Sequence, residues 1–91
     1  MIARKVVIRG RVQGVGYRDW LVHKAQEAGM RGWVRNRENG TVEALLAGSP
    51  EAVHDMIRRC RRGPRLADVT SIDEAEAEVP AEPGFVRRET A

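Results

Sequence analysis

Nine consecutive residues, Gly10-Arg11-Val12-Gln13-Gly14-Val15-Gly16-Tyr17-Arg18, concentrate the groups best suited to chemistry. Three glycines within seven positions let the backbone enter φ > 0 and turn its N–H groups toward a common centre. Such a nest, beside the positive end of a helix, is a ready anion site. Arg18 adds a planar, permanently charged fork suited to carboxylate or phosphate. A cation in the first helical turn opposes the macrodipole by about 0.3–1 kcal/mol. A bound anion removes that conflict, and Asp19 softens it without one. The residues alone therefore leave open an anion site and a plain strand-to-helix turn.

The remaining reactive side chains offer little competing chemistry. His23 and His54 fall on predicted helices beside the apolar stripes and read as surface residues. His23 lies five residues beyond Arg18 and so points away from the loop by helix geometry. Cys60 is alone, which rules out an internal disulfide and a cysteine-based zinc site and suits a reducing cytosol. No cluster has metal-ligand spacing, so neither metal nor cofactor is expected. Gly14-x-Gly16 echoes a dinucleotide fingerprint. Asp19, however, occupies the third glycine's place, and 91 residues leave no room for a second βαβ half.

The net charge of +3 is uneven. Residues 1–65, which hold the loop, carry +8, and residues 66–91 carry −5. A basic field of this kind focuses small anions, and it also attracts nucleic acid. The length fits one domain spanning 1–91 with a modest core. No apolar run approaches the length of a membrane span, and the N-terminus lacks the apolar region of a signal peptide.

Around the loop, the pattern predicts the elements that must hold it. A first strand covers residues 3–9, with Val6, Val7 and Ile8 as its apolar run. A helix follows from about Arg18 to Ala28, with Tyr17, Leu21, Ala25 and Ala28 at core spacing and Gly29 as its stop. Residues 30–47 read as a hairpin about the turn Arg37-Glu38-Asn39-Gly40, since Asn-Gly accepts φ > 0. Ser49 is a natural N-cap and Pro50 sits at the favoured first position of a second helix. Val53, Met56, Ile57 and Cys60 form its apolar stripe. Arginines crowd its last turns, where the macrodipole favours cations, and Gly63-Pro64 ends it. A weak, half-exposed strand from about Val69, a loop over 80–84 and a short edge strand at Phe85-Val86-Arg87 complete the chain. Trp20 and Trp33 read as half-buried platforms, with a stacking role against substrate as the alternative.

The order β-α-β-β-α-β indicates an α+β fold, the ferredoxin-like sandwich. Its expected form is an antiparallel sheet with both helices on one face and a fifth strand at the C-terminal end. This topology hosts many functions, so the elements alone do not decide among them.

The loop resembles the acylphosphatase signature, of the form G-x-V-Q-G-V-x-F-R. Gly32-Trp33-Val34-Arg35-Asn36, followed by Gly40-Thr41-Val42 and Gly48, resembles that family's second signature, G-W-V-x-N-x-x-x-G-x-V with a later glycine. Tyr17 departs from the more usual Phe, and Glu89-Thr90-Ala91 extends past the usual last strand. The resemblance implies the ferredoxin-like fold and hydrolysis of carboxylic–phosphoric mixed anhydrides. It implies that Gln13, Gly14, Val15, Gly16, Tyr17 and Arg18 hold the phosphate, with Arg18 as clamp, and that Asn36 positions the water. Without the resemblance, Asn36 reads equally well as a backbone cap near a turn. The expected partner is a small-molecule acyl phosphate, with inorganic phosphate as product, acted on by a cytoplasmic monomer away from membranes and nucleic acid. The alternative is an RNA- or anion-binding module on the same topology. Arg31-Gly32-Trp33 and the arginines at 58–62 favour it. The small aromatic share of 4% argues against base stacking.

Overall fold

The computed structural model describes all residues from 1 to 91. Five strands and two helices follow in the order β1 (Ile2–Arg11), α1 (Tyr17–Glu27), β2 (Arg31–Asn36), β3 (Val42–Gly48), α2 (Pro50–Arg62), β4 (Asp68–Ala77) and β5 (Phe85–Arg87). The sheet runs β4-β1-β3-β2-β5. The first four strands in that order pair antiparallel, as expected.

β5 differs from the all-antiparallel expectation, because it lies parallel to β2. The chain leaves β4 at one edge and must reach the other edge through residues 78–84. Seven residues span at most about 25 Å, and four strand spacings need about 19 Å. The connection can cross the sheet but cannot also climb back along it. β5 therefore starts at the same end as β2 and runs with it.

Side-chain alternation divides the sheet. Val6, Ile8, Val34, Val42, Ala44 and Leu46 point to one face and are fully buried. They meet Leu21 and Ala25 of α1 and Val53, Met56, Ile57 and Cys60 of α2 in one continuous core. Each buried Val, Leu or Ile contributes about 1.5–3 kcal/mol relative to exposure. Ser49 caps α2 as predicted, its Oγ accepting from the Ala52 N–H at 3.1 Å, with Pro50 in the first turn. The hairpin also forms, but without positive φ at Asn39. Gly40 alone takes φ 91°, while the Asn39 side chain accepts from the Thr41 N–H at 3.1 Å. The turn covers residues 37–41, one residue more than the Arg37–Gly40 turn signal, and β3 begins at Val42. No helix is long and apolar enough to cross a membrane.

β1, β2 and β5 all run toward one end of the sheet, and α1 starts from that end. The topology thereby gathers the loop after β1, the end of β2 and the end of β5 around one helix N-terminus.

Candidate active site

The loop leaves the sheet at Arg11 and turns through Gly14 (φ 73°) and Gly16 (φ 80°), both in the left-handed region. The N–H groups of Gly14, Val15 and Gly16 donate to no protein acceptor. Gly16 is also the N-cap of α1 and supplies no side-chain oxygen to it. The first bond closing the helix runs from the Trp20 N–H to the Gly16 carbonyl at 3.0 Å. The donors of the first turn are thus left for a ligand, as at any uncapped helix start. Gly10 plays a different part from that predicted. It lies in β1 where the register with β4 slips, and a Cβ there would meet the Asp68 carbonyl at 2.2 Å. Two glycines, not three, shape the nest.

Each predicted residue has a distinct surrounding. Gln13 turns its amide outward from the nest and donates to the carbonyls of Arg37 at 2.7 Å and Thr41 at 2.9 Å. It ties the loop to the β2–β3 turn. Val15 packs against the core. Tyr17 is buried, and its hydroxyl donates to the Cys60 carbonyl at 2.6 Å. That bond satisfies the extra oxygen relative to Phe. Arg18 is half-buried and makes no ion pair or hydrogen bond to the protein. Asn36 is half-buried at the end of β2, and its side-chain amide has no protein partner. The backbone-cap reading of that amide is not what the structure shows.

Gly14, Gly16, Tyr17, Arg18 and Asn36 line one hollow of about 180 Å³ together with Val12, Asp19 and Arg87. Neither tryptophan lines it. Trp33 instead lies on the open face of the sheet, with the guanidinium groups of Arg35 and Arg88 each 4.9 Å from its ring.

Two contributors escaped the sequence reading. Arg87 reaches the hollow from β5, and its guanidinium donates to Asp19 at 2.7 Å. β5 places Phe85 and Arg87 on the same, helix-facing side, but nothing local in the sequence announces that β5 lies beside β2. Glu43 is the second. The residue is 1% exposed, and its carboxylate takes Arg35 at 2.7 Å, Arg37 at 3.2 Å and Lys5 at 3.2 Å. Arg35 and Arg37 flank Asn36, so Glu43 fixes the backbone on both sides of it. A lone acid in the apolar run Val42-Glu43-Ala44, across the hairpin from arginines, was its available signal. Burial alone would raise this carboxyl's pKa, but the hydrogen bonds from Arg35 and Lys5 outweigh it and hold the group below its ordinary range.

The hollow is therefore cationic and rich in N–H donors. Tyr17 stays protonated, its pKa raised by burial first and by Cys60 second. Burial likewise pushes the Cys60 thiol up to about 12. His23 is exposed on α1 beside Glu27. The arrangement can hold an anion with a polar amide beside it, and its one carboxylate, Asp19, is engaged by Arg87.

The family model for acylphosphatase matches residues 4–87. An acylphosphatase of Acidiphilium cryptum is 60% identical over 90 residues, covering 99% of each chain. One from Rhizorhabdus wittichii is 46% identical over 98% of this chain and 90% of its own. Among solved structures, an acylphosphatase from Bacillus subtilis superposes with a TM-score of 0.92 at 30% identity, over 97% of this chain and 99% of that one.

Proposed function

The chain belongs to the acylphosphatase family, and on that premise we propose that Arg18, Asn36 and the 13–18 loop carry its reaction. The enzyme hydrolyses acyl phosphates, the mixed anhydrides of carboxylic and phosphoric acids, to carboxylate and phosphate. The observation that carries the residue assignment is the convergence, in one hollow, of unbonded loop N–H groups, an unpaired guanidinium and an unpaired amide.

The chemistry asks for little more. The leaving carboxylate has a conjugate acid near ~4 and departs without a proton. Phosphoryl transfer depends chiefly on positioning and on stabilising charge over the equatorial oxygens. The N–H groups of the nest and the Arg18 fork supply that stabilisation. Losing one such donor costs about 2.7–4 kcal/mol, or 10²–10³ in rate. The Asn36 amide holds the attacking water through its oxygen. Its proton passes to a phosphate oxygen, so the rate should show no enzyme pKa near neutrality. Gln13 acts indirectly by fixing the loop, and Val15 by anchoring it in the core.

We read the 91 residues as one domain, working as a cytoplasmic monomer without a metal. One continuous core supports the single domain, and the unpaired thiol fits a reducing compartment. The test is turnover of benzoyl phosphate with EDTA present, for wild type, Arg18→Ala and Asn36→Ala, each verified as folded by circular dichroism. Both variants should fall by about 10² or more. Phosphate binding should be lost in Arg18→Ala and kept in Asn36→Ala. Folded variants with near-normal turnover would remove these two residues from the mechanism, and loss of turnover in EDTA would remove its metal independence.

A further inference from the structure

A larger hollow, of about 390 Å³, lies in the cleft between the helices. Trp20 and Lys24 line it from α1, and Asp55, Arg58, Arg59 and Arg62 from α2, with Gly63 at the end of α2. Four cations thus face one carboxylate. Asp55 engages Arg59 at 3.1 Å and Arg58 at 3.3 Å. Lys24 has only Glu27, at 3.9 Å, and Arg62 has no ion pair. The macrodipole accounts for cations in the last turns of α2. It does not account for a lysine and a half-buried indole brought against them from the other helix.

Electrostatics and size define what the cleft can take. Its cations are largely exposed, and each exposed pair is worth little alone, so a ligand needs several negative charges held close together. The hollow at the loop, of about 180 Å³, suits one phosphate-sized group. The cleft is wider, and Lys24 and Arg62, neither of them paired with Asp55, stand on different helices. Trp20 adds a flat ring, held edge-on to Tyr17 with centroids 5.4 Å apart. The two hollows adjoin: a Cβ at Gly63, which lines the cleft, would meet the ring of Tyr17, which lines the loop hollow, at 2.7 Å. We propose that the α1–α2 cleft is a second anion site, distinct from the loop, that binds a small polyphosphate anion through Lys24, Arg59 and Arg62 against Trp20.

The proposal is tested in a Trp33→Phe background, which leaves Trp20 as the one indole. Trp33 lies on the opposite face of the sheet from the helices, outside both hollows. Tripolyphosphate and ATP are titrated separately at low salt while Trp20 fluorescence is followed. Each should give a saturable change with a midpoint below about 1 mM, weakening as salt rises. Arg59→Ala/Arg62→Ala should weaken binding by about tenfold or more. Arg18→Ala, which disables the loop site, should leave it unchanged. Tighter binding of ATP than of tripolyphosphate means that a base packs on Trp20, and equal binding means that the phosphates alone are read; both uphold the site. No saturable change with either probe overturns the proposal. So does a change that survives in the double variant and vanishes in Arg18→Ala, because the probes would then be occupying the loop.

Discussion

Tyr17 shows how one atom is absorbed by its surroundings. Where the family's signature more often has Phe, this chain adds a hydroxyl, and the buried carbonyl of Cys60 near the end of α2 receives it at 2.6 Å. Tyr17→Phe leaves that carbonyl without its partner in a place water does not reach. A buried polar group deprived of its bond costs about 1–3 kcal/mol, so the denaturation midpoint should fall accordingly. The ring still walls the hollow, and benzoyl phosphate turnover should stay within about threefold of wild type. A much larger loss of turnover in the folded variant would give the hydroxyl a part in the chemistry. At this scale the sequence was informative about position wherever residues sit in a contiguous motif. Arg18 and Asn36 meet in the hollow as expected, although 18 positions separate them. Asp19 and Arg87 also meet there, and their pairing at 2.7 Å was not legible. Opposite charges 68 residues apart carry no local signature until the strands are ordered.

The elements depend on two further features, one a charge and one its absence of bulk. Glu43 joins β3 to both sides of Asn36 and to Lys5 on β1. Its pKa is lower folded than unfolded. Its contribution is therefore present above the unfolded value of ~4.3 and is lost as the pH falls through the lower folded value. Glu43→Gln should destabilise the protein at pH 7 by about 1.5–3 kcal/mol, the range for charged hydrogen bonds. The lower end is favoured because Lys5 and Arg37 are partly solvated. In urea melts the gap from wild type should close as the pH is lowered toward about 2. A gap independent of pH would mean that packing, not charge, is what Glu43 provides. Gly32 makes the complementary case. It takes φ 135°, and a Cβ would sit 1.8 Å from the Leu45 carbonyl and 3.2 Å from the Phe85 ring. Gly32→Ala should lose at least about 3 kcal/mol from strain and overpacking, read as a large drop in melting temperature. The sequence marked Gly32 as part of a pattern but gave no reason for it. The reason is the neighbour across the ladder, and sheet partners are not written in a strand's own residues. For the same cause the helices, whose periods and caps are local, were legible almost to the residue, while the direction of β5 was not.

Across the whole molecule, one core supports one face of the sheet, and the three elements that converge on the loop are each rooted in it. Gln13 and the geometry of Gly14 and Gly16 hold the loop in its open shape. A cavity finished in advance does not distinguish the phosphate that arrives on a substrate from the phosphate left behind. On the proposed assignment the folded chain should bind its product and the unfolded chain should not, so product accumulation should work in two directions at once. It should slow the enzyme by occupying the cradle, and it should draw the folding equilibrium toward the native state by RT ln(1 + [L]/Kd), about 2.7 kcal/mol at a hundredfold excess over Kd. Phosphate should raise the melting temperature of wild type progressively with concentration and leave that of Arg18→Ala nearly unmoved. Spent substrate would thus preserve the catalyst while silencing it, and dilution should return activity from a pool shielded from unfolding.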